Sequence, residues 1–161
     1  MRNVFFSFHY SLDCFRVAQI RNSHVISSHL SSPPFLDKAK WEEAKKRPGG
    51  IKLWIDEQLK RTTVTIVLIG AQTLDRPWVK YEIAESEKRG NGILGITLEA
   101  MSVPSIFNSG VPRIKPPFSN GIFSKNYSHY SWVNDNGRDN IDRWIEAIAP
   151  RSNGLLRNLF I

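Results

Sequence analysis

The chain has 161 residues, of which 41% are hydrophobic, 11% aromatic and 23% charged, with a formal net charge of +7. This composition excludes global disorder, the apolar runs are too short to span a membrane, and the lone cysteine, Cys14, excludes an internal disulfide. We therefore expect one cytoplasmic domain over residues 1–161, with no structural metal and no membrane partner.

The first predicted strand and helix lie at the start of the chain. Residues 3–8 are apolar on both faces, as in a buried strand of a parallel sheet. Residues 9–11 form a polar loop after this strand. Apolar residues at helical spacing then predict a helix over residues 12–26, with Ser11 or Asp13 as its N-cap.

The next part of the chain predicts a loop and two helices. Serines and a proline pair make residues 27–34 loop-like, so any second strand near Phe35 is short and lies at the sheet edge. Helical segments follow over residues 38–46 and 51–61, with a Pro-Gly-Gly break between them. Both helices should pack on the sheet.

A strand, helix and strand then follow in close succession. The β-branched run over residues 63–69 predicts a buried strand, and Pro77 marks the start of a helix that continues to Lys88. A further strand is predicted over residues 93–98. So short a unit indicates a right-handed parallel crossover.

The last part of the chain is less regular. Residues 99–126 are rich in Pro, Ser, Gly and Asn and predict an irregular surface excursion. A last strand over residues 127–133, a helix over residues 139–149 and an apolar tail over residues 154–161 complete the domain, and the tail should dock on the domain or on a second copy. The alternation of strands and helices predicts a flavodoxin-like α/β fold: an open parallel sheet with helices on both faces.

Trp78 and Glu82 are the most informative pair for function. They are separated by four positions on a predicted helix, so their side chains share a face, directed toward the mouth of the sheet. Open α/β sheets bind ligands at that place. An aromatic wall beside one carboxylate indicates a nucleotide-type site. The position of Glu82 in the first turns of the helix should help to keep its carboxylate ionised.

Four blocks of sequence, taken in order, resemble TIR-like domains. They are VFFSFHY at residues 4–10, WEEAKK at 41–46, VLIG at 67–70 with Thr73, and WVKYEI at 78–83. Within that family, the blocks are similar to the TIR-like sensor proteins of Thoeris anti-phage systems. The resemblance covers most of residues 3–98 and fades beyond residue 100.

The resemblance implies an NAD-consuming enzyme. Such proteins break the bond between nicotinamide and ribose and make a cyclic ADP-ribose isomer that switches on a separate effector after phage infection. NAD is then the substrate, and no cofactor is expected. Glu82 matches the catalytic glutamate of the family. The candidate substrate contacts in the matched blocks are Ser7, Phe8, His9, Tyr10, Thr73 and Trp78.

Each of these residues also has a plainer interpretation. Glu82 taken alone fits a solvated helix carboxylate, and Trp78 fits a packing residue at the helix start. His9 is either a hydrogen-bonding loop residue or a phosphate or ribose contact. Arg16 is expected to be an exposed helix residue. The clustered cations, including Lys45, fit solvated helix ends.

Two other functions stay open at this point. The same sequence would serve a catalytically silent TIR-like interaction module if Glu82 pointed away from the pocket. The net charge also suggests a nucleic-acid-binding domain, although the sequence has no glycine-rich phosphate loop and no interleaved run of aromatics and cations. We expect a homo-oligomer with a phage-derived trigger and no specific nucleic-acid partner.

Overall fold

Parallel strands form the sheet in the computed structural model, which describes residues 2–21, 23, 38–103 and 122–150. Four strands are found within these ranges, all paired in parallel in the order β1-β2-β3-β4. Their bounds are Val4–Phe8 for β1, Val64–Ile69 for β2, Gly92–Thr97 for β3 and Ser128–Ser131 for β4. The predicted α/β fold with a parallel sheet is confirmed.

Helices connect and flank these strands. Their bounds are Tyr10–Arg21 for α1, Lys38–Lys45 for α2, Gly50–Leu59 for α3, Pro77–Lys88 for α4, Ile122–Asn126 for α5 and Gly137–Ile148 for α6, with a short 3-10 turn at Thr73–Asp75. Within the described ranges, no helix has both the length and the apolar character needed to cross a bilayer.

The central strand β2 is covered by helices on both faces. Successive side chains of a strand point to opposite faces. Val64, Ile66 and Leu68 pack in one cluster with residues of α1 and α6. Val67 and Ile69 pack in a second cluster with residues of α4 and α5. Burial on both faces explains why β2 is apolar at every position except Thr65 rather than alternating between apolar and polar residues.

The strand register defines the edge of the sheet where a ligand can bind. Phe8 at the end of β1 lies beside Leu68 near the end of β2. The helix that follows β1 packs on one face of the sheet, and the helix that follows β2 packs on the other. The two chain segments therefore diverge beyond the carboxyl ends of adjacent strands, which creates a crevice of the kind that open α/β sheets use for ligands.

The first helix differs from its prediction at both ends. Helix α1 begins at Tyr10, so the expected polar loop is reduced to His9, and α1 ends earlier than predicted, at Arg21. The His9 side chain provides the cap, because its Nδ1 accepts a hydrogen bond from the backbone N–H of Leu12 at 3.3 Å. Asp13 is buried in the first turn instead of capping the helix.

The irregular excursion also contains one element that its composition did not predict. Helix α5 lies within residues 99–126 and carries the buried Phe123, which packs against Val67 and Ile93. A Cβ added at Gly95 would lie 2.5 Å from the Phe123 ring. The glycine on β3 therefore makes room for an aromatic side chain that is distant in sequence.

Several predictions lie outside the described residues. These are the edge strand near Phe35, most of the excursion (residues 104–121) and the apolar tail. The remaining predicted elements are found within a few residues of their expected bounds. The helix that starts at Pro77 and ends at Lys88 has the bounds that its sequence predicts.

Candidate active site

A cavity of about 440 Å³ lies beside the carboxyl end of β1. Its walls come from residues 8–11 at the junction of β1 and α1, from Glu42 and Lys45 of α2, and from residues 76–79 and Glu82 at the start of α4. The volume is within the range of roughly 300–1,000 Å³ that small-molecule and cofactor pockets occupy. The structure thus brings together three segments that are widely separated in sequence.

Glu82 is a buried carboxyl group in the wall of this cavity. Its side chain is 8% exposed, and its Oε2 accepts a short hydrogen bond from the Ser7 hydroxyl of β1. Burial raises the pKa of Glu82 to about 8, although the Ser7 hydrogen bond acts in the opposite direction. At neutral pH this carboxyl group is therefore mostly protonated.

The expectation that the helix would keep Glu82 ionised is wrong for this structure. Glu82 lies in the second turn of α4, and the field of the helix dipole fades within the first turn. Desolvation is the largest influence on the carboxyl group, because nearly all of it is removed from water. The solvated-carboxylate interpretation of Glu82 is wrong for the same reason.

A buried hydroxyl pair holds the backbone of Glu82 against the sheet. The Ser86 hydroxyl donates a hydrogen bond to the Glu82 backbone carbonyl at 2.7 Å. The same hydroxyl is 2.7 Å from the hydroxyl of Thr65 on β2, and both side chains are fully buried. Helix α4 is thereby fixed in both position and rotation at the residue that carries the carboxyl group.

Aromatic side chains form two sides of the cavity. Trp78 lies on the α4 side, is 38% exposed and contacts Tyr81 edge-to-face with ring centroids 5.7 Å apart. Phe8 and Tyr10 line the cavity from the junction of β1 and α1, with centroids 6.3 Å apart. Aromatic side chains from two segments around one carboxyl group suit the binding of a planar heterocycle.

His9 combines a structural role with a place in the cavity wall. It caps α1 through Nδ1, which must be an acceptor because the backbone N–H of Leu12 can only donate. Burial, followed by the nearby charge of Arg76, lowers the pKa of His9, so the ring is neutral at pH 7 and carries its proton on Nε2. The residue also lines the cavity.

Thr73 lies in a buried network apart from the cavity wall. Its hydroxyl accepts a hydrogen bond from the backbone N–H of Gly70 at 2.8 Å and donates one to Asp13 at 3.4 Å. Asp13 also pairs with Arg16 at 3.2 Å. Arg16 is buried rather than exposed as predicted, and it contacts the backbone carbonyl of Met101. The network ties α1 to the loop between β2 and α4.

Two cations in the cavity wall were not identified as site residues from the sequence. Arg76 directly precedes α4, and Lys45 lies in the last turn of α2, where it pairs with Glu42 at 3.2 Å. Lys45 was predicted to be a solvated helix end, and its side chain is 48% exposed, but it also lines the cavity. The sequence does not show that these two cations line the same space; the fold does.

Comparisons with known proteins support the family resemblance of the sequence blocks. Residues 5–102 match the sequence profile of a family described as Thoeris protein ThsB, TIR-like domain. A protein of Bacillus cereus (strain MSX-D12), provisionally named cyclic ADP-D-ribose synthase ThsB1, is 38% identical over 146 residues, which are 89% of this chain and 71% of that protein. The matched range of the family includes every residue of the cavity wall.

Proposed function

The chain belongs to the TIR-like domain family of the Thoeris protein ThsB, and on this premise we propose that it cleaves the nicotinamide–ribose bond of NAD and makes a cyclic ADP-ribose isomer. The observation that carries this proposal is the buried carboxyl group of Glu82 between aromatic cavity walls. The name of the similar Bacillus cereus protein supports the same class of product.

One carboxylate is enough for the bond cleavage that we propose. The nicotinamide ring of NAD is already cationic, so it leaves as a neutral molecule. An ordinary glycosidase must protonate its leaving group and therefore carries a second carboxyl group. In the ionised form, Glu82 stabilises the positive charge that develops on the ribose as nicotinamide departs.

Substrate binding supplies the ionised form of Glu82. Its pKa of about 8 applies to the empty cavity, where no positive charge offsets the cost of burial. A cationic nicotinamide ring beside the carboxyl group favours the carboxylate, so Glu82 releases its proton when NAD binds. The Ser7 hydroxyl then holds Oε2 in place during the reaction.

The aromatic walls favour cyclisation over hydrolysis. Phe8, Tyr10 and Trp78 line the space beside Glu82. Aromatic faces pressed on the reacting ribose exclude water, so the adenosine end of the same molecule becomes the nucleophile. No metal or cofactor enters this mechanism.

We also propose where the enzyme acts, what activates it and in which oligomeric form. The cyclic product is a diffusible signal for a separate effector protein, made in the cytoplasm after a phage-derived trigger. A homo-oligomer is the proposed active form. Membership of the Thoeris family supports the signalling role, whereas the location, the trigger and the oligomer are part of this proposal and need their own tests.

Product analysis tests the proposal. NAD is incubated with the wild-type protein, with Glu82→Gln and with Glu85→Gln, both alone and in extract from phage-infected cells, and the products are resolved by chromatography with mass detection. Glu85 is the matched control, because it is on the same helix but pairs with Lys88 at the surface. We expect nicotinamide and a cyclic ADP-ribose isomer from the wild type and Glu85→Gln.

Removal of the carboxylate should reduce product formation by about 100-fold or more, by analogy with the loss of a group that stabilises transition-state charge. Absence of product from the wild type under both conditions would contradict the proposal and favour the catalytically silent interaction module. Equal activity of Glu82→Gln would show that another group performs the chemistry.

A further inference from the structure

We propose that Arg76 and Lys45 form a diphosphate-binding subsite at the rim of the cavity, which holds the diphosphate of a dinucleotide while its nicotinamide-linked ribose lies at Glu82. This inference rests on the proposed function, because it assigns the part of the substrate that those two cations recognise. Both side chains line the cavity that contains Glu82.

The position of Arg76 is unfavourable for the fold alone. It occupies the N-cap of α4, the positive end of the helix dipole, where a cation is electrostatically disfavoured. Serine, threonine, aspartate and asparagine are the residues that stabilise such a position. Arg76 makes no side-chain capping hydrogen bond there. A cation at this place therefore has no evident benefit for stability.

The same end of α4 offers the donors that an anion requires. Pro77 has no N–H, and the Arg76 side chain does not cap α4, so the backbone N–H groups of Trp78 and Val79 lack the side-chain acceptor that a serine or aspartate N-cap would supply. Among the ion pairs of the described residues, none joins Arg76 to a carboxylate. An anion bound there would meet a guanidinium and a helix N-terminus together, and both favour phosphate oxygens.

Lys45 at the end of α2 supplies the second cation that lines the cavity. Its pair with Glu42 is half exposed on both side chains, at 48% and 52%, and exposed pairs of this kind contribute little to stability. A phosphate group can therefore replace Glu42 as the partner of Lys45 at little cost in free energy. Lysine binds phosphate as a point charge, whereas arginine provides a planar fork of donors.

The remaining contents of the cavity explain why the ligand is a dinucleotide rather than a free phosphate. Trp78 and Tyr10 provide aromatic surface in the same space, and Glu82 provides the carboxyl group. A single ligand that uses all of these groups must carry planar rings, ribose and a central anionic link. NAD has this composition, ADP-ribose keeps the adenine, both riboses and the diphosphate, and nicotinamide riboside lacks the diphosphate.

Binding of ADP-ribose, measured by isothermal titration calorimetry, tests the subsite without any catalytic step. The variants are Arg76→Gln and Lys45→Gln. Matched controls are Arg61→Gln and Lys46→Gln, which remove exposed cations that do not line the cavity. We expect the dissociation constant to rise about tenfold or more for Arg76→Gln and several-fold for Lys45→Gln, with the controls within about twofold of the wild type.

Two further measurements distinguish the loss of a diphosphate contact from damage to the fold or to the rest of the cavity. Thermal melts followed by circular dichroism confirm that each variant is folded. Nicotinamide riboside should bind the wild type and Arg76→Gln with equal affinity, because it has no diphosphate for Arg76 to contact.

Unchanged affinity of Arg76→Gln for ADP-ribose, an equal loss in the controls, or no binding by the wild type would overturn the subsite. A different result would contradict the proposed function alone. In that case NAD would stay intact, but ADP-ribose binding would still depend on Arg76.

Discussion

Glu82 and Ser7 form the residue pair on which the proposed chemistry depends. Ser7 is a polar side chain in a strand whose preceding residues are buried and apolar, and its hydroxyl meets a carboxyl group that is almost completely desolvated. Because burial raises the pKa of Glu82, the folded protein must take up a proton at neutral pH that the unfolded chain does not bind, and this lowers stability. The cost falls at the position where the reaction requires a carboxyl group with a shifted pKa.

Replacement of this carboxyl group should stabilise the protein at alkaline pH. The folded-state pKa of Glu82 is raised from 4.5 to about 8, so the folded protein binds an extra proton between these values, and its stability falls as the pH rises through them. We expect Glu82→Gln to melt roughly 4 °C or more above the wild type at about pH 9.

The difference between Glu82→Gln and the wild type should shrink toward about pH 5, where both folded states are neutral at this position. Melting curves at several pH values check this, with Glu85→Gln as the control that should follow the wild type. A Glu82→Gln protein that melts below the wild type at alkaline pH would show that the carboxylate is stabilised in a way that the structure does not reveal.

Loss of the Ser7 hydroxyl should alter the pH profile of the reaction. The hydrogen bond from Ser7 lowers the pKa of Glu82, so Ser7→Ala should move the midpoint of the kcat/KM profile to higher pH and reduce kcat by about tenfold. Nicotinamide release measured across the pH range gives both values. Ser23→Ala, which removes a hydroxyl far from the cavity, should leave the profile unchanged.

Helix α4 is the element that carries Glu82 and Trp78. Its start follows from Pro77 at the first helical position, and its rotation is fixed by the hydroxyl pair of Thr65 and Ser86. The loop before it is held close to α1, because a Cβ at Gly70 would lie 2.2 Å from the carboxylate of Asp13. The element is thus anchored at the sheet and at its entry loop.

The hydroxyl pair should show a strong thermodynamic coupling. Ser86→Ala leaves the buried Thr65 hydroxyl without its partner, which costs about 1–3 kcal/mol of unfolding free energy. Thr65→Val should cost less, because the Ser86 hydroxyl keeps its hydrogen bond to the Glu82 carbonyl. The double variant removes both polar groups and should be less destabilised than the sum of the single variants. Urea denaturation of the three variants measures this coupling, and strict additivity would contradict it.

An element could be predicted from the sequence when the residues that determine it lie close together in the chain. The bounds of α4 were predictable because proline at its start acts locally. Helix α5 was missed because Phe123 is accommodated by Gly95, a residue on another strand. Glu82 was identified from its spacing and from the family resemblance, but its protonation state depends on burial by the whole fold. Arg76 was missed for the same reason.

The whole molecule is cationic, with a formal net charge of +7. A positive field attracts an anionic dinucleotide and speeds its association. The single-domain organisation over residues 1–161 and the docking of the apolar tail stay predictions. The charge that suggested a nucleic-acid-binding domain is accounted for equally well by an anionic small-molecule substrate.

The net charge predicts that salt weakens substrate binding. We expect the KM for NAD to rise several-fold between about 0.05 and 0.5 M NaCl, with little change in kcat, because screening acts on association rather than on the buried carboxyl group. Steady-state assays at a series of salt concentrations test this. A KM that is independent of salt would argue against recognition of the diphosphate by cations.

The pH dependence of nicotinamide release by the wild type and by Glu82→Gln shows whether Glu82 is the catalytic carboxylate. We expect the wild-type kcat/KM to rise about tenfold per pH unit below the pKa of Glu82, which is about 8, and to level off above it. Glu82→Gln should be slower by about 100-fold or more and show no such rise. A Glu82→Gln enzyme with the rate and pH profile of the wild type would contradict the assignment of the catalytic carboxylate.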